Sequence, residues 1–339
     1  MAKSLSVKYR PQTFSEVCGQ EIVVTVLKRQ LEIRSFKNCY LFCGSSGCGK
    51  TTLARIFANE INKGQGSPIE IDGASNNGVD NVKSIVANAS QRALDSEYKI
   101  YIIDESHMLT VAAWNAFLKC IEEPPTYTIF IFCTTDPQKI PATILNRCMR
   151  FNFEKISSDV IRNRLVHICE EEGVTNYFES CDYISKNSNN QLRDAISNLE
   201  KVIDYDTNMS MQMTLHVLGK CSYDLMFGLV NALIDGDERK VLESVSSMSL
   251  TVTDARVILD QLFDFVLDID KYALFRDMSV TKIPISYESE CARAVDFQDS
   301  NKYYGYVLNK LVDVKWAMKN DISPLLTLET ILLQIARCE

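Results

Sequence analysis

The sequence predicts an α/β domain built on a parallel sheet, followed by a region that is helical only. An apolar run, a glycine-rich loop and an amphipathic segment follow one another over residues 39–58. A second apolar run, residues 100–103, ends in two carboxylates, as a buried parallel strand does when a ligand lies at its carboxyl end. Beyond about residue 154 the strand-like segments stop, and apolar residues recur only at helical spacing.

Length and composition are those of a globular protein with more than one domain. The chain has 339 residues, of which 46% are hydrophobic and 24% charged. No apolar run approaches the roughly 20 residues that span a bilayer, and residues 1–8 lack the apolar core of a signal peptide. We therefore expect a cytoplasmic protein. Its net charge of −8 argues against a general affinity for nucleic acid, so DNA would need a local surface or several subunits.

The 12 cysteines are expected to be reduced thiols, because disulfides are rare in the cytosol. They are scattered, no C-x-x-C pair occurs among them, and the three histidines lie far apart. This pattern predicts neither a disulfide framework nor a zinc site.

The segment Gly44-Ser45-Ser46-Gly47-Cys48-Gly49-Lys50-Thr51 matches the pattern G-x-x-x-x-G-K-T. It lies between a predicted strand and a predicted helix that continues from Thr52, and in that setting the pattern binds phosphate rather than forming a plain glycine turn. The curled backbone points N–H groups at an anion, and the helix dipole adds to their field. Lys50 supplies a charge for the outer phosphates, and Thr51 supplies a hydroxyl for Mg²⁺. Cys48 lies close to the helix N-terminus, so we expect its thiol to have a lowered pKa. We also expect thiol alkylation to inactivate the protein and bound nucleotide to protect against it.

Two acids follow the strand predicted over residues 99–103. Asp104 is expected to hold Mg²⁺, and Glu105 to accept the proton of an attacking water or to orient that water. The alternative, two exposed acids that cap the next helix, is disfavoured by the upstream phosphate loop. His107 comes two residues later, and we expect it to bond the backbone at the start of a helix.

Two further positions have open interpretations. Thr135 follows a buried strand, 129–133, and either touches the γ-phosphate and the water or caps the turn before Pro137. Arg147 ends a helix predicted over residues 142–147, where the helix dipole alone explains a cation.

In the helical region, Asn190 is the predicted N-cap of a helix that carries Arg193 in its first turn. A cation there meets the positive end of the dipole, so it favours an external anion such as a nucleotide over pairing with Asp194 or Glu200. From about residue 221 the chain is predicted to be helical throughout, including a buried stripe of Ile258, Leu262, Val266 and Ile269.

The order of these elements resembles that of the AAA+ clamp-loader ATPases, most closely the gamma/tau subunit family of bacterial DNA polymerase III. The resemblance covers residues 5 to about 200. It is carried by residues 9–14, 19–20, 44–51, 69–75, 104–109, 118–125, 134–141, 146–148 and 192–195.

The resemblance implies an AAA+ nucleotide-binding domain over residues 1–154, a helical lid over 155–219 and a helical collar for oligomerisation over 220–339. It makes Thr135 the sensor 1 residue, Arg193 the sensor 2 residue and Arg147 an arginine finger for the next subunit, although Asn146 replaces the usual serine. Expected catalytic residues are Lys50, Glu105, Thr135, Arg147 and Arg193. Expected nucleotide-binding residues are Tyr9, Arg10, Pro11, Gly44, Ser45, Ser46, Gly47, Cys48, Gly49, Lys50, Thr51, Thr52, Asp104 and Arg193, with Thr51 and Asp104 on Mg²⁺.

The implied function is that of an ATPase subunit in a pentameric clamp loader, which uses ATP to place a sliding clamp on primer-template DNA. DNA is expected near residues 76–83 and Thr110, and the clamp near Ala93-Leu94. The alternatives are another AAA+ DNA-remodelling motor, such as a helicase loader or branch-migration ATPase, and a structural subunit that binds no ATP. The intact phosphate loop and acids argue against the last.

Two departures from the family stand out. Only residues 62–68 occupy the place of the family's four-cysteine zinc module, so no zinc is expected. We also expect the long C-terminal extension of the longer family form to be absent. A compact, virus-encoded version that acts in the bacterial cytosol or nucleoid would fit both departures.

Overall fold

The computed structural model describes residues 4–252, 254–318 and 323–337. The chain divides into two compact units. Unit 1 comprises the described residues up to Arg164 together with Ser188–Ser197, and unit 2 comprises Leu165–Asn187 and the described residues from Asn198 onward. The finer division into domains at residues 154 and 219 stays a prediction.

Unit 1 contains a sheet whose strands all run parallel, in the order β2-β3-β4-β1-β5. This confirms the predicted α/β domain on a parallel sheet, which is followed by a helical region. The strands are β1 Cys39–Cys43, β2 Ile69–Asp72, β3 Lys99–Asp104, β4 Thr128–Thr134 and β5 Met149–Asn152.

The α-helices of the described residues account for most of the remaining chain. In chain order they are α1 Leu5–Lys8, α2 Glu21–Glu32, α3 Lys50–Ile61, α4 Val79–Ala89, α5 Val111–Glu122, α6 Ala142–Leu145, α7 Ser158–Glu172, α8 Phe178–Lys186, α9 Leu192–Tyr205, α10 Met211–Val217, α11 Tyr223–Ile234, α12 Glu238–Thr251, α13 Ala255–Phe275, α14 Glu288–Ala294, α15 Ser300–Ala317 and α16 Pro324–Ala336.

Both faces of the sheet are covered, which explains why its central strands read as unbroken apolar runs. Every residue of β1 and β4 is buried. Successive side chains alternate between the faces: Tyr40 and Phe42 join a core with α2 and α3, whereas Leu41 and Cys43 join a core with α4 and α5. The parallel strands thus end at one edge, between two packed layers.

Unit 2 is helical, as predicted from the change in pattern after residue 154. The stripe of α13 that carries Ile258, Leu262, Val266 and Ile269 is buried almost completely. Helices α11, α12, α15 and α16 pack around it. Within the described residues, none of the helices is both long enough and apolar enough to cross a bilayer.

Two local predictions are wrong. The helix predicted over residues 142–147 is the single turn of α6, which ends at Leu145. Asn190 does not cap α9: it has a φ of +62°, and its Nδ2 donates to the Ile156 carbonyl at 2.8 Å. Its amide makes a contact distant in sequence instead of a local cap, which helix-capping rules do not consider.

The expectation that every cysteine is a reduced thiol is also wrong, because Cys39 and Cys148 form a disulfide. Their Cα atoms lie 4.7 Å apart although 109 positions separate them in sequence. The parallel register that pairs Tyr40 with Met149 brings the two preceding cysteines together. Compartment rules and cysteine spacing contain no information on strand register.

Removing this disulfide is expected to lower the free energy of unfolding by about 2–4 kcal/mol, since it closes a long loop in the unfolded chain. The measurement is urea unfolding of Cys39→Ser and Cys148→Ser beside the parent protein, without and with reductant. The deficit should appear in both variants without reductant and vanish with it. Full titration of all 12 thiols in unreduced, denatured protein would contradict the prediction.

Candidate nucleotide-binding site

The loop between β1 and α3 has the conformation that its glycines allow. Gly47 and Gly49 have φ values of +70° and +97°, which side-chain-bearing residues rarely adopt. At Gly44 an added Cβ would lie 2.7 Å from the Cβ of Phe153, so only glycine permits this close approach of the loop to the chain after β5. The loop is therefore fixed in a curled form at the edge where the parallel strands end.

Lys50 lies inside this loop rather than on the surface. Its side chain is buried, and Nζ donates to the carbonyls of Gly44 at 2.9 Å and Ser45 at 2.8 Å. The ammonium group is thereby held where the loop would surround an anion. Because it is a buried point charge on the first residue of α3, it strengthens the positive field of the helix N-terminus.

Thr51 and Asp104 connect α3 to the end of β3. The Thr51 hydroxyl donates to Asp104 Oδ2 at 2.6 Å, and Asp104 Oδ1 accepts the Glu105 N–H at 3.0 Å. Hydroxyl and carboxylate oxygens are the hard ligands that Mg²⁺ prefers, usually with several waters retained. The two residues therefore fit the predicted Mg²⁺ site.

Gln20 positions the phosphate loop from outside it. Its Nε2 donates to the carbonyls of Cys48 at 3.3 Å and Glu154 at 2.8 Å, and its Oε1 accepts the Glu154 N–H at 3.1 Å. One side chain thus joins the loop to the segment after β5. The sequence drew attention to Gln20 only through the family resemblance, since nothing in the local pattern indicates these partners.

The second acid, Glu105, lies at the same edge of the sheet in an unusual conformation. Its φ of +45° is in the left-handed region, which costs free energy in a residue with a side chain and is frequent at functional sites. Its Oε2 lies 3.4 Å from Thr135 Oγ1 and 3.3 Å from His107 Nδ1. Thr135 therefore contacts the acid, whereas Asp136 caps the turn at Pro137.

Lys50, Thr51, Asp104 and Glu105 line a cavity of about 370 Å³, all of it within unit 1, whereas Gly44, Ser45 and Thr135 lie outside its lining. Its lining combines polar and charged residues with apolar and aromatic ones, among them Tyr9, Val17 and Ile156. Tyr9, Arg10, Pro11, Thr52 and Arg193 line it as predicted. The sequence analysis missed Ser6, Val17, Cys18, Arg55, Ile156, Leu192 and Ile196.

Arg193 is the second residue of α9, as predicted, and is exposed at the cavity. No ion pair with Asp194 or Glu200 is found for it in the described residues. Two residues earlier, Gln191 packs so closely on Gly47 that an added Cβ there would lie 3.0 Å from the glutamine Cβ. The start of α9 and the phosphate loop are thus in direct contact.

Arg147 is the one predicted catalytic residue that the structure does not bring to this site. Its guanidinium pairs with Glu122 at 2.7 Å and donates to the Thr143 carbonyl at 2.6 Å. The side chain remains 39% exposed. A role at the cavity of its own chain is thereby excluded in this conformation, whereas a role toward another chain is sterically open.

The expectation for Cys48 is wrong. The residue is 1% exposed and packs into the core shared by β1, α2 and α3. Burial disfavours the thiolate and raises the pKa of Cys48, with Lys50 opposing the shift only in part. The helix N-terminus that suggested a reactive thiol is outweighed by the apolar surroundings of the sulfur.

Within the described residues, no group of three or more His, Cys, Asp or Glu side chains could hold a metal ion. That finding does not test the expectation that zinc is absent, which stays a prediction.

Comparison with known proteins identifies relatives over most of the chain. Residues 69–157 match the family described as DNA polymerase III, delta subunit. The chain is 32% identical to DNA polymerase III subunit tau of Salmonella typhimurium over 92% of its length, and 37% identical to that of Bacillus subtilis over 76%. It spans about half the length of these relatives, 52% and 50%.

Among solved structures, the chain resembles RuvB of Thermotoga maritima, a Holliday junction branch migration motor, with a TM-score of 0.53 and 20% identity. The match covers 67% of this chain and 80% of that one. At this level of identity the likeness establishes the fold alone.

Proposed function

The chain belongs to the family of DNA polymerase III gamma/tau subunits, and on that premise we propose that it is the ATPase subunit of a clamp loader. It binds and hydrolyses ATP to open a sliding clamp and place it on primer-template DNA. The observation that carries the proposal is the convergence, at one edge of the sheet, of the buried Lys50, the Thr51–Asp104 pair and the Glu105–Thr135 contact.

Each part of the cavity has a partner in ATP. The base lies against Tyr9, Arg10 and Pro11, a segment fixed by the bond from Arg164 Nη2 to the Tyr9 carbonyl at 2.8 Å. The phosphates lie along the backbone of residues 44–51, with Lys50 on the outer ones. Mg²⁺, held by Thr51 and Asp104 with water, would neutralise part of the charge that develops on the phosphates.

Hydrolysis follows from the position of Glu105. A water attacks the γ-phosphorus, a new P–O bond forms, and the bond to the ADP oxygen breaks. Glu105 accepts the proton of this water or orients it, and Thr135 positions the carboxylate and senses the γ-phosphate. Arg193, at the start of α9, contacts the phosphates and reports the nucleotide to the helical region.

Arg147 acts on the ATP of the neighbouring subunit. An arginine supplied from outside stabilises the transition-state charge by about 10³–10⁵ in rate, so hydrolysis depends on assembly. The guanidinium must first leave Glu122, but an exposed ion pair is worth only about 0–1 kcal/mol. The exposure of Arg147 and its position away from its own cavity support this role.

Two surfaces of unit 1 are candidates for the macromolecular partners. Leu94 is fully exposed in the turn after α4, as an apolar anchor for a clamp would be. Thr110 caps the N-terminus of α5 and donates to the Asn77 carbonyl at 3.2 Å. The N-termini of α4 and α5 are thereby brought together, and helix N-termini favour DNA phosphates.

A second candidate function is that of a branch-migration motor, the activity named for RuvB, whose fold this chain shares. The relatives of higher identity favour the clamp loader. If the chain is a clamp-loader subunit, it should assemble into a pentamer that co-purifies with a clamp in the presence of ATP.

Native mass measurement of the assembly isolated with the full chain, with and without ATP, distinguishes the two functions. A hexamer without a clamp would support the motor and contradict our proposal.

Glu105→Gln should retain ATP affinity within about threefold and lose turnover by about 10²–10⁴-fold, because the amide cannot accept the proton. ATP binding and phosphate release are measured on the same assembly. Glu123→Gln, an exposed acid beyond α5, is the matched control and should behave as the parent protein. Turnover at the parental rate in Glu105→Gln would exclude this residue as the base.

Arg147→Ala should reduce hydrolysis by the DNA-stimulated assembly by about 10³–10⁵-fold, while the isolated subunit binds ATP as before. The exposed Arg150 provides the control, because Arg150→Ala removes an equal charge three residues away. If the assembly of Arg147→Ala subunits hydrolyses ATP at the parental rate, the finger lies elsewhere.

A further inference from the structure

His107 lies in a short turn that is fastened to the neighbouring strand. The 3₁₀ turn Ser106–Met108 closes with the Met108 N–H on the Glu105 carbonyl at 2.9 Å. The fully buried Ser106 donates its hydroxyl to the carbonyl of Cys133, in β4, at 3.0 Å. The turn therefore has a fixed position relative to β4. The backbone partner expected for His107 is replaced by two side chains, so that expectation is wrong.

The Nδ1 atom of His107 lies between a carboxylate and a hydroxyl. It is 3.3 Å from Glu105 Oε2 and 3.4 Å from Thr134 Oγ1. The imidazole is 12% exposed, so water competes little for these contacts. Thr134 is itself fully buried, and its Oγ1 accepts the Asp136 N–H at 3.0 Å.

This arrangement selects one form of the imidazole. A lone pair on Nδ1 would lie 3.3 Å from the negative Glu105 oxygen and be repelled by it, whereas an N–H at that nitrogen is attracted to the oxygen. The Thr134 oxygen can accept from the same N–H. The favoured form therefore carries hydrogen on Nδ1, and its attraction to the carboxylate across 3.3 Å is electrostatic.

From this geometry we propose that His107 is a positioning residue for Glu105, an inference that rests on the proposed role of Glu105 as the base. The hydrogen-bearing Nδ1 attracts Oε2 across 3.3 Å, and the Thr135 hydroxyl donates to the same oxygen at 3.4 Å. The contacts that His107 and Thr135 make both fall on Oε2, so neither involves Oε1, the oxygen that we assign to the attacking water. The left-handed backbone of Glu105 needs such restraint, because a strained residue persists only when its surroundings hold it.

The test compares three replacements at His107 in the assembly that co-purifies with the full chain. His107→Leu fills the space without a polar hydrogen, and should lower kcat by about 10–100-fold, the effect of losing a polar contact with a charged group. ATP affinity should stay within about twofold. His107→Asn places an amide N–H near the position of Nδ1 and should recover most of the loss. His107→Gln, whose amide lies one carbon further out, should not.

The Glu105→Gln background separates this inference from the proposed function. Adding His107→Leu to Glu105→Gln should cause no further loss, because the two residues act as a unit. Loss of ATP affinity in His107→Leu together with kcat, or failure of His107→Asn to restore turnover, would indicate a merely structural role and overturn the inference. If His107→Leu turns over at the parental rate while Glu105→Gln is inactive, the positioning role of His107 is wrong and the role of Glu105 as the base stands. If Glu105→Gln itself is active, the proposed base is what fails.

Discussion

The parallel register of β1, β3 and β4 is the constraint on which the site depends. It aligns Cys43 with Thr134 and Ile103 with Phe132. The phosphate loop, the acids Asp104 and Glu105, and the threonines Thr134 and Thr135 therefore lie at one edge of the sheet. Backbone hydrogen bonds between the strands and the helices packed on both faces of the sheet fix this alignment. A one-residue slip would turn the side chains of a strand to the opposite face and separate the groups. The pairing of buried strands thus determines which side chains meet at the cavity.

Most of this arrangement could be predicted from sequence because its signals are local. A glycine pattern between a strand and a helix defines the phosphate loop, and two acids after an apolar run mark the end of β3. What could not be predicted depends on neighbours distant in sequence. The partners of Gln20, the burial of Cys48 and the bond of Asn190 to Ile156 all arise from packing between segments. His107 belongs to the same class, since its contact with Thr134 depends on where β4 lies.

The charged groups of the proposed site differ in how firmly the structure holds them. Lys50 and Asp104 are bound by short hydrogen bonds inside unit 1, so their charges are oriented before any ligand arrives and need little reorganisation. Arg147 is paired on the surface with Glu122, an interaction weak enough to exchange for a stronger partner. Under the proposed function, the same chain would combine a nucleotide cavity formed in advance with a cation that a neighbouring subunit can recruit.

The bond between Cys39 and Cys148 has a practical consequence for handling the protein. It encloses β2, β3 and β4 and all the turns that connect them, including the exposed turn at Leu94. A protease that nicks the chain anywhere inside this ring leaves both fragments covalently joined. Such a cut escapes notice on a gel run without thiol and becomes visible as two bands only after reduction, so intact mobility alone does not establish an intact backbone.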